Sequence, residues 1–152
     1  MRSDVARLYE RYIHDVFRLA LSYLHSKQDA EDVCQTVFMG LMDKAVDVPQ
    51  EKEKAYLLTC TANACKNHLR SFWRKRIVPL EGAVILSTDM DRDLWYAIGK
   101  LPPKYRAVIH LYYFEGYDHG QIAEILDISV SAVQTRASRA RDMLRKELDP
   151  NA

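Results

Sequence analysis

The sequence predicts an all-α protein made of two small helical domains joined by a short linker. Nearly every segment repeats its apolar residues with a helical period, and none alternates as a half-buried strand does. Residues 77–89, between two such stretches, contain one proline, one glycine and a single glutamate before Asp89, a composition typical of a linker. The predicted domains therefore cover residues 1–76 and 90–149.

The N-terminal domain is predicted to contain three helices. The first covers residues 3–24, and the second begins after Ser26 and continues to Lys44, before Pro49 interrupts the chain. The third covers residues 54–76.

The C-terminal domain begins with a short predicted helix over residues 91–100. Pro102 and Pro103 then end one helix and are suited to begin the next, which is predicted over residues 104–114. Residues 118–148 follow with two helical patterns around a tight turn, the arrangement of a helix-turn-helix DNA-binding motif.

The ends of the helix-turn-helix are marked by its sequence. Asp118 can cap the first helix with Gln121 at the capping-box spacing, and Ile122, Ala123, Ile125 and Leu126 supply its buried side. Asp127 stands at the turn, because aspartate tolerates left-handed backbone better than most residues. Ser129 can cap the second helix, which is predicted to start near Val130.

On a helical wheel the second helix has one apolar and one polar face. The predicted buried stripe consists of Val133, Ala137, Ala140, Leu144 and Leu148. The early residues of such a helix contact base edges in the major groove, where a bidentate arginine or glutamine contributes about 1–3 kcal/mol of discrimination. A solvated charged face without a ligand is the alternative. The candidate DNA-reading residues are Ser131, Gln134, Thr135, Arg136, Ser138 and Arg139.

Charge in this chain is sorted locally. The 152 residues are 48% hydrophobic with a net charge of only +1, so a nucleic-acid surface requires clustering of basic residues. Residues 1–76 carry 13 Lys and Arg against 10 Asp and Glu. The chain contains no uncharged stretch long enough to span a membrane, and three irregularly spaced cysteines favour reduced thiols. We therefore expect a cytoplasmic protein without membrane insertion.

The predicted third helix is a second nucleic-acid candidate. Its residues 66–76 contain five basic side chains and no acid, and aromatic rings border them. Phosphates favour such a surface, and each base stacked on an aromatic ring contributes about 1–3 kcal/mol. The face predicts binding of single-stranded DNA, although ordinary packing of Trp73 is an alternative. Its candidate residues are Tyr56, Asn63, Lys66, Asn67, Arg70, Trp73 and Arg74.

The predicted second helix presents a partner surface. Asp32, Gln35, Thr36 and Met39 point away from its apolar side, and methionine is frequent at interaction surfaces, although single exposed apolar residues are also common.

Cys60, Cys65 and His68 form a Cys-x4-Cys-x2-His motif, which resembles the spacing of metal ligands. On a helix the two cysteines point about 140° apart, so we predict no metal site there, and core packing for His68.

Three segments, in order, resemble the bacterial sigma factors of the extracytoplasmic-function (ECF) type. They are SKQDAEDVCQTVF, AYLLTCTANACKNHLRSFWRKR and IGKLPPKYRAVIHLYYFEGYDHGQIAEILDISVSAVQTRASRARDML. They are similar to the family's polymerase-binding helix, promoter-melting helix and promoter-binding C-terminal domain. The resemblance implies that residues 1–76 correspond to sigma region 2 and residues 90–149 to sigma region 4.

The resemblance also implies a role for each surface. Asp32, Gln35 and nearby exposed residues would dock on the clamp helices of core RNA polymerase. The third helix, with residues 47–53, would engage the minus-ten element and hold the opened non-template strand. The recognition helix would read the minus-thirty-five element as duplex DNA. An anti-sigma partner and an envelope or stress signal are expected from the family, with no catalytic residue and no cofactor.

Some positions depart from the family pattern. Thr36 replaces a common glutamate, Asn67 a common aspartate, and Asp127 the customary turn glycine. Ala62 stands where a basic residue is frequent. Gln134 and Ser138 also differ from the usual residues, so the preferred promoter should differ from that of common members.

Two other classes compete with the sigma-factor interpretation. A stand-alone helix-turn-helix regulator would bind a palindromic duplex without polymerase, but would need no second nucleic-acid surface. A metal-dependent enzyme using Cys and His would need a carboxylate pair, nucleophile elbow or phosphate-binding loop, and the sequence offers none.

Overall fold

The computed structural model describes residues 2–44, 46–75 and 92–149, and the side chains of residues 4–44, 46–71 and 92–149. Within these ranges all regular structure is helical, which confirms the predicted all-α class. The chain divides into two compact units, Met1–Leu80 and Glu81–Ala152, called here the N-terminal and C-terminal units. The predicted linker, residues 77–89, lies outside the described residues.

The N-terminal unit contains three helices that pack against one another in pairs. They are α1 (Arg2–Leu24), α2 (Lys27–Met42) and α3 (Glu53–Lys75), and a single 3-10 turn, Gln50–Lys52, precedes α3. Ser26 caps α2 as its position predicts, accepting a hydrogen bond from the Asp29 amide at 3.3 Å. α2 ends two residues before the predicted Lys44, because the Lys44 amide closes a tighter turn onto the Leu41 carbonyl.

The core of the N-terminal unit is formed by leucines and valines from all three helices. Burying each of them fully contributes about 1.5–3 kcal/mol. Those that are almost completely excluded from solvent include Leu8, Val16, Leu19, Leu21, Val33, Leu57 and Leu58.

A buried carboxylate joins α1 to the first turn of α3. Glu53 is only 6% exposed, and its two oxygens accept hydrogen bonds from the Arg7 guanidinium at 2.6 and 3.2 Å. The Tyr12 hydroxyl donates a third bond to the same carboxylate at 3.3 Å. The hydrogen bond from Arg7 is the main cause that lowers the pKa of Glu53. The contact also places a negative charge at a helix N-terminus, where the helix dipole favours it.

The C-terminal unit contains α4 (Arg92–Gly99), α5 (Pro103–Ile109), α6 (His119–Leu126) and α7 (Val130–Leu148). The predicted helix 104–114 is only partly right, since the α-helix ends at Ile109 and continues as a π-helical segment, His110–Phe114. The Glu115 amide bonds to the carbonyl of His110, five residues earlier, and Gly116 then turns the chain with φ 76°. Residues 104–114 contain no proline or glycine to signal this change.

A buried arginine supports the start of the C-terminal unit. The Arg106 guanidinium donates to the carbonyl oxygens of Leu101 at 2.5 Å and Gly99 at 3.3 Å, which satisfies one backbone acceptor at the end of α4 and one just after it.

α7 packs on the rest of its unit through the predicted stripe, except at its end. Ala140 packs with Leu101, Tyr105 and Ile109, and Leu144 covers this cluster. Leu148 was predicted to be buried, but it is 48% exposed. It lies one turn beyond the cluster, so periodicity overestimated the buried length of the helix.

Replacing Glu53 with glutamine should destabilise the N-terminal unit. The neutral amide has only one acceptor oxygen, so it cannot accept both hydrogen bonds from the Arg7 guanidinium, and it carries no negative charge to attract that group. At neutral pH we expect roughly fivefold faster hydrogen exchange in α1 and α3, after correction for intrinsic rates. Because the folded-state pKa is lowered, the stabilisation is present above the ordinary carboxyl value of 4.5 and disappears as pH falls through the lowered pKa.

Glu51→Gln is the matched control, since it removes an exposed carboxylate two residues away. A Glu53→Gln variant that exchanges like the wild type at neutral pH would contradict a stabilising role for the contact.

Candidate nucleic-acid and partner surfaces

The helix-turn-helix begins with a complete capping box. Asp118 Oδ1 accepts a bond from the Gln121 amide at 2.8 Å, and Gln121 Oε1 accepts one from the Asp118 amide at 2.9 Å. This reciprocal pair confirms the predicted start of α6. The helix then buries the predicted residues Ile122, Ala123, Ile125 and Leu126.

The turn between α6 and α7 is left-handed without a glycine. Asp127 has φ 56° and ψ 52°, as predicted for this position. The Ile128 amide bonds to the Ala123 carbonyl at 3.0 Å, and Ser129 caps α7 by accepting from the Ala132 amide at 3.0 Å. A short polar side chain tolerates this backbone region better than other non-glycine residues do. The turn therefore sets the direction of α7.

The two halves of the polar face on α7 differ in their contacts. In the second half, Asp142 pairs with Arg145 at 3.2 Å and Glu147 with Lys100 at 3.1 Å. The candidates in the first half have no such partner among the described residues, so their donors and acceptors face solvent. Arg136 is half-buried, and the exposed candidates are Ser131, Gln134, Thr135, Ser138 and Arg139.

The predicted single-strand face on α3 is also open to solvent. Asn63, Asn67 and Arg70 are exposed, whereas Tyr56 and Lys66 are half-buried. Trp73 and Arg74 belong to the last turn of α3, but their side chains lie outside the described ones. Ala62, the departure from a common basic residue, is fully buried, so it adds nothing to this surface.

His68 was predicted to pack in the core, and this is wrong. Its side chain is 27% exposed, and Nε2 lies 3.3 Å from Asp29 Oδ1 at the start of α2. The pair links α3 to α2 across the surface. Sequence reasoning could not find it, because the partner comes from another helix.

The four partner-surface candidates on α2 are all exposed but lie on two sides of the helix. Gln35 and Met39 line a groove of about 820 Å³ between α1 and α2, and Met39 is 62% exposed. Thr36 instead lines a cavity between α2 and α3. Asp32 is exposed but lines neither.

α1 supplies the other wall of the groove, which the sequence reasoning missed. The available signal was a second apolar stripe, Val5, Tyr9 and Ile13, spaced by four residues. Glu10 and Glu31 contribute carboxylates to the same lining. The lining is thus mostly apolar and includes two acidic side chains.

The cavity between α2 and α3, called here the slot, has a volume of about 470 Å³. Within it, the Tyr56 hydroxyl donates a hydrogen bond to the sulfur of Cys60. The charge interaction with Cys60, burial and this hydrogen bond together raise the pKa of Tyr56. The lining is formed by Val33, Thr36, Val37, Gly40, Leu41, Lys44, Tyr56, Cys60, Asn63, Ala64, Asn67 and His68.

The cysteines are protonated thiols at neutral pH. Burial raises the pKa of Cys34 to about 11, and burial also raises the pKa of Cys60 and of Cys65. A thiol must lose its proton to bind a metal. The described residues include no group of three His, Cys, Asp or Glu side chains placed to hold a metal ion. No described helix is long and apolar enough to cross a membrane.

The chain carries a helix-turn-helix in its C-terminal unit, and a basic, amide-rich helix and an apolar groove in its N-terminal unit. This combination is typical of a DNA-binding protein of transcription. Residues 8–75 match the family model described as Sigma-70 region 2, and residues 91–144 match the one described as Sigma-70, region 4. The chain belongs to the sigma-70 family, in its ECF group, and directs RNA polymerase in transcription initiation. This family is regulatory and not catalytic.

Similar proteins include two sigma factors of Bacillus subtilis. SigV is 29% identical over 140 residues, covering 88% of this chain and 84% of SigV. SigM, an ECF sigma factor, is 26% identical over 153 residues, covering 93% of this chain and 93% of SigM.

Two solved structures share the fold over nearly the whole chain. RpoE in complex with the anti-sigma factor NepR from Bartonella quintana has a TM-score of 0.79 at 20% identity, covering 98% of this chain and 99% of RpoE. CnrH in complex with the cytosolic domain of CnrY has a TM-score of 0.66 at 25% identity, covering 100% of this chain and 92% of CnrH.

Proposed function

We propose that the chain contacts the promoter at two places and the polymerase at a third. Residues 1–76 dock on core RNA polymerase and engage the minus-ten element, and residues 90–149 read the minus-thirty-five element. The observation that supports this division is the presence of two exposed polar surfaces of different chemistry on one chain, one on α3 and one on the first half of α7. A lone duplex reader needs only one of them.

Reading of the minus-thirty-five element is assigned to the first half of α7. Its exposed polar groups have no intramolecular partner among the described residues, so binding DNA breaks no existing bond. Arg139 and Gln134 can each make bidentate contacts to a base edge, and Thr135 can contact a thymine methyl group. Arg136, on the flank, is suited to a backbone phosphate.

Opening of the minus-ten element is assigned to α3 and residues 47–53. Asn63 and Asn67 present amides that can pair with the edges of unpaired bases. Arg70 and Lys66 supply positive charge, and the Tyr56 ring offers a surface for stacking. Trp73 and Arg74 complete this set as predicted from the sequence.

Docking on the polymerase is assigned to the exposed side of α2 and the groove beside it. Asp32 and Gln35 supply polar contacts, and Met39 supplies an adaptable apolar one. The groove fits the apolar stripe of a helix, and its two acidic side chains favour basic residues on that helix. The clamp helices of core polymerase are the proposed occupant.

An anti-sigma factor is proposed as a regulator of the chain. The RpoE structure contains the anti-sigma factor NepR, the CnrH structure contains the cytosolic domain of CnrY, and this chain is similar to both RpoE and CnrH. The proposed place of action is the cytoplasm, where promoter DNA and polymerase meet. Nucleotidyl transfer belongs to the polymerase, so no catalytic residue or cofactor is assigned to this chain.

Arg139→Ala should weaken promoter recognition without changing polymerase docking. Loss of a bidentate contact worth about 1–3 kcal/mol corresponds to roughly 5- to 150-fold less transcription when promoter is limiting. The measurement is run-off transcription by reconstituted holoenzyme, with Arg145→Ala as control because Arg145 is paired with Asp142. Wild-type holoenzyme that transcribes matched and mismatched minus-thirty-five sites equally would refute the assignment.

Asp32→Ala combined with Gln35→Ala should abolish co-purification with core polymerase, because both polar contacts are lost from one side of α2. Glu124→Ala is the control, since it removes an exposed acid from α6 in the other unit. Unchanged retention of the double variant by core polymerase would exclude this docking surface.

A further inference from the structure

The slot has one wall on α2 and one on α3, and on each helix its lining residues recur every three or four positions. On α2, Thr36, Gly40 and Lys44 follow one another every four residues and therefore lie on one stripe. On α3 the facing lining includes Tyr56 and Asn63, with Cys60 and Asn67 on the same side. The apolar residues Val33, Val37 and Leu41 complete the α2 lining.

Gly40 has no packing role that explains it. Glycine in the interior of an α-helix lowers helix stability relative to alanine. A Cβ atom at Gly40 would meet nothing within 4 Å, so close approach of another group does not require glycine there. Since Gly40 lines the slot, the missing side chain leaves the α2 wall open.

The lining of the slot favours an anionic, planar ligand. The described residues that line it include no aspartate or glutamate, and Lys44 supplies a cation close enough to interact with Cys60. The amides of Asn63 and Asn67 offer both donors and acceptors, and Tyr56 contributes an aromatic ring. From Thr36 to Lys44 the α2 wall runs about 12 Å, enough for a base and its adjoining phosphate.

We propose that α2 forms the second wall of the site for an unpaired nucleotide of the opened promoter strand. Thr36 and Gly40 admit the base between the helices, and Lys44 pairs with its phosphate. Thr36 then belongs to the nucleic-acid surface and not to the polymerase-docking set. The inference rests on the proposed role of α3 and adds α2 residues to it.

The test uses holoenzyme assembled from core polymerase and the full chain. Promoter opening is measured by the permanganate reactivity of unpaired thymines, and core binding is measured separately. Gly40→Leu fills the slot and should reduce opening about tenfold or more, with core binding within about twofold of wild type. Gly40→Ala should give a smaller loss, because the effect scales with the volume added.

Charge is tested at Thr36 and Lys44. Thr36→Glu should lower opening more than Thr36→Gln, since only the carboxylate adds a negative charge to the slot that must admit part of the polyanionic strand. Lys44→Gln should reduce the slope of log affinity against log salt for a single-stranded minus-ten oligonucleotide by about 0.7, the value for one lost phosphate contact. Arg18→Leu, on an exposed part of α1 that lines neither cavity, is the unchanged control.

The outcomes separate this inference from the role of α3. Normal opening by Gly40→Leu and Thr36→Glu, with a defect in Asn63→Ala plus Asn67→Ala, would overturn the α2 wall and leave α3 in place. Normal opening by the α3 double variant as well would overturn both. Loss of core binding by Thr36→Glu would assign Thr36 to the polymerase-docking surface and overturn the inference. The three substitutions at Thr36 and Lys44 change exposed side chains, so they remain informative if Gly40→Leu does not fold.

Discussion

The position of α3 depends on the buried carboxylate of Glu53. This group receives three hydrogen bonds from Arg7 and Tyr12, all on α1, and it belongs to the first residue of α3. A buried charge is tolerated only when it is paired and hydrogen-bonded, so the contact constrains where α3 can begin. The asparagines of the proposed single-strand face lie further along the same helix. Their placement therefore follows from a contact that has no part in DNA binding.

α2 presents different chemistry on its two sides. Towards α1 it lines a mostly apolar groove that includes two glutamates, and towards α3 it lines a slot in which none of the described lining residues is acidic. On the proposed assignment, one side receives a protein and the other a nucleotide. A single helix then carries both surfaces.

Local features of the fold could be predicted from the sequence because their partners are close along the chain. Asp118, Asp127 and Ser129 act within three to five residues, and each has the predicted conformation or bond. The contact between His68 and Asp29 and the groove between α1 and α2 join residues far apart in sequence. The exposure of Leu148 depends on where the neighbouring helices stop. The π-helical segment at His110–Phe114 has no composition signal, because its residues also suit an α-helix.

Assignments of the candidate residues have different physical foundations. The exposure of Ser131, Gln134, Thr135, Ser138 and Arg139 on α7, and of Asn63, Asn67 and Arg70 on α3, follows from helical periodicity and is seen in the structure. Their division between duplex, single strand and polymerase comes from the chemistry of each surface and from membership of the sigma-70 family. Thr36 illustrates the difference. Helical periodicity predicts that its side chain is exposed, but the cavity that it lines is formed by the packing of α3 on α2 and is seen only in the structure.

Run-off transcription by purified core polymerase over a genomic library, with and without the chain, tests most directly whether the chain is a sigma factor that reads a two-part promoter. We expect transcripts that require the chain and start at a fixed distance from a shared two-part promoter sequence. Absence of chain-dependent initiation, together with tight binding of the chain alone to a palindromic duplex, would contradict this interpretation and favour a stand-alone regulator.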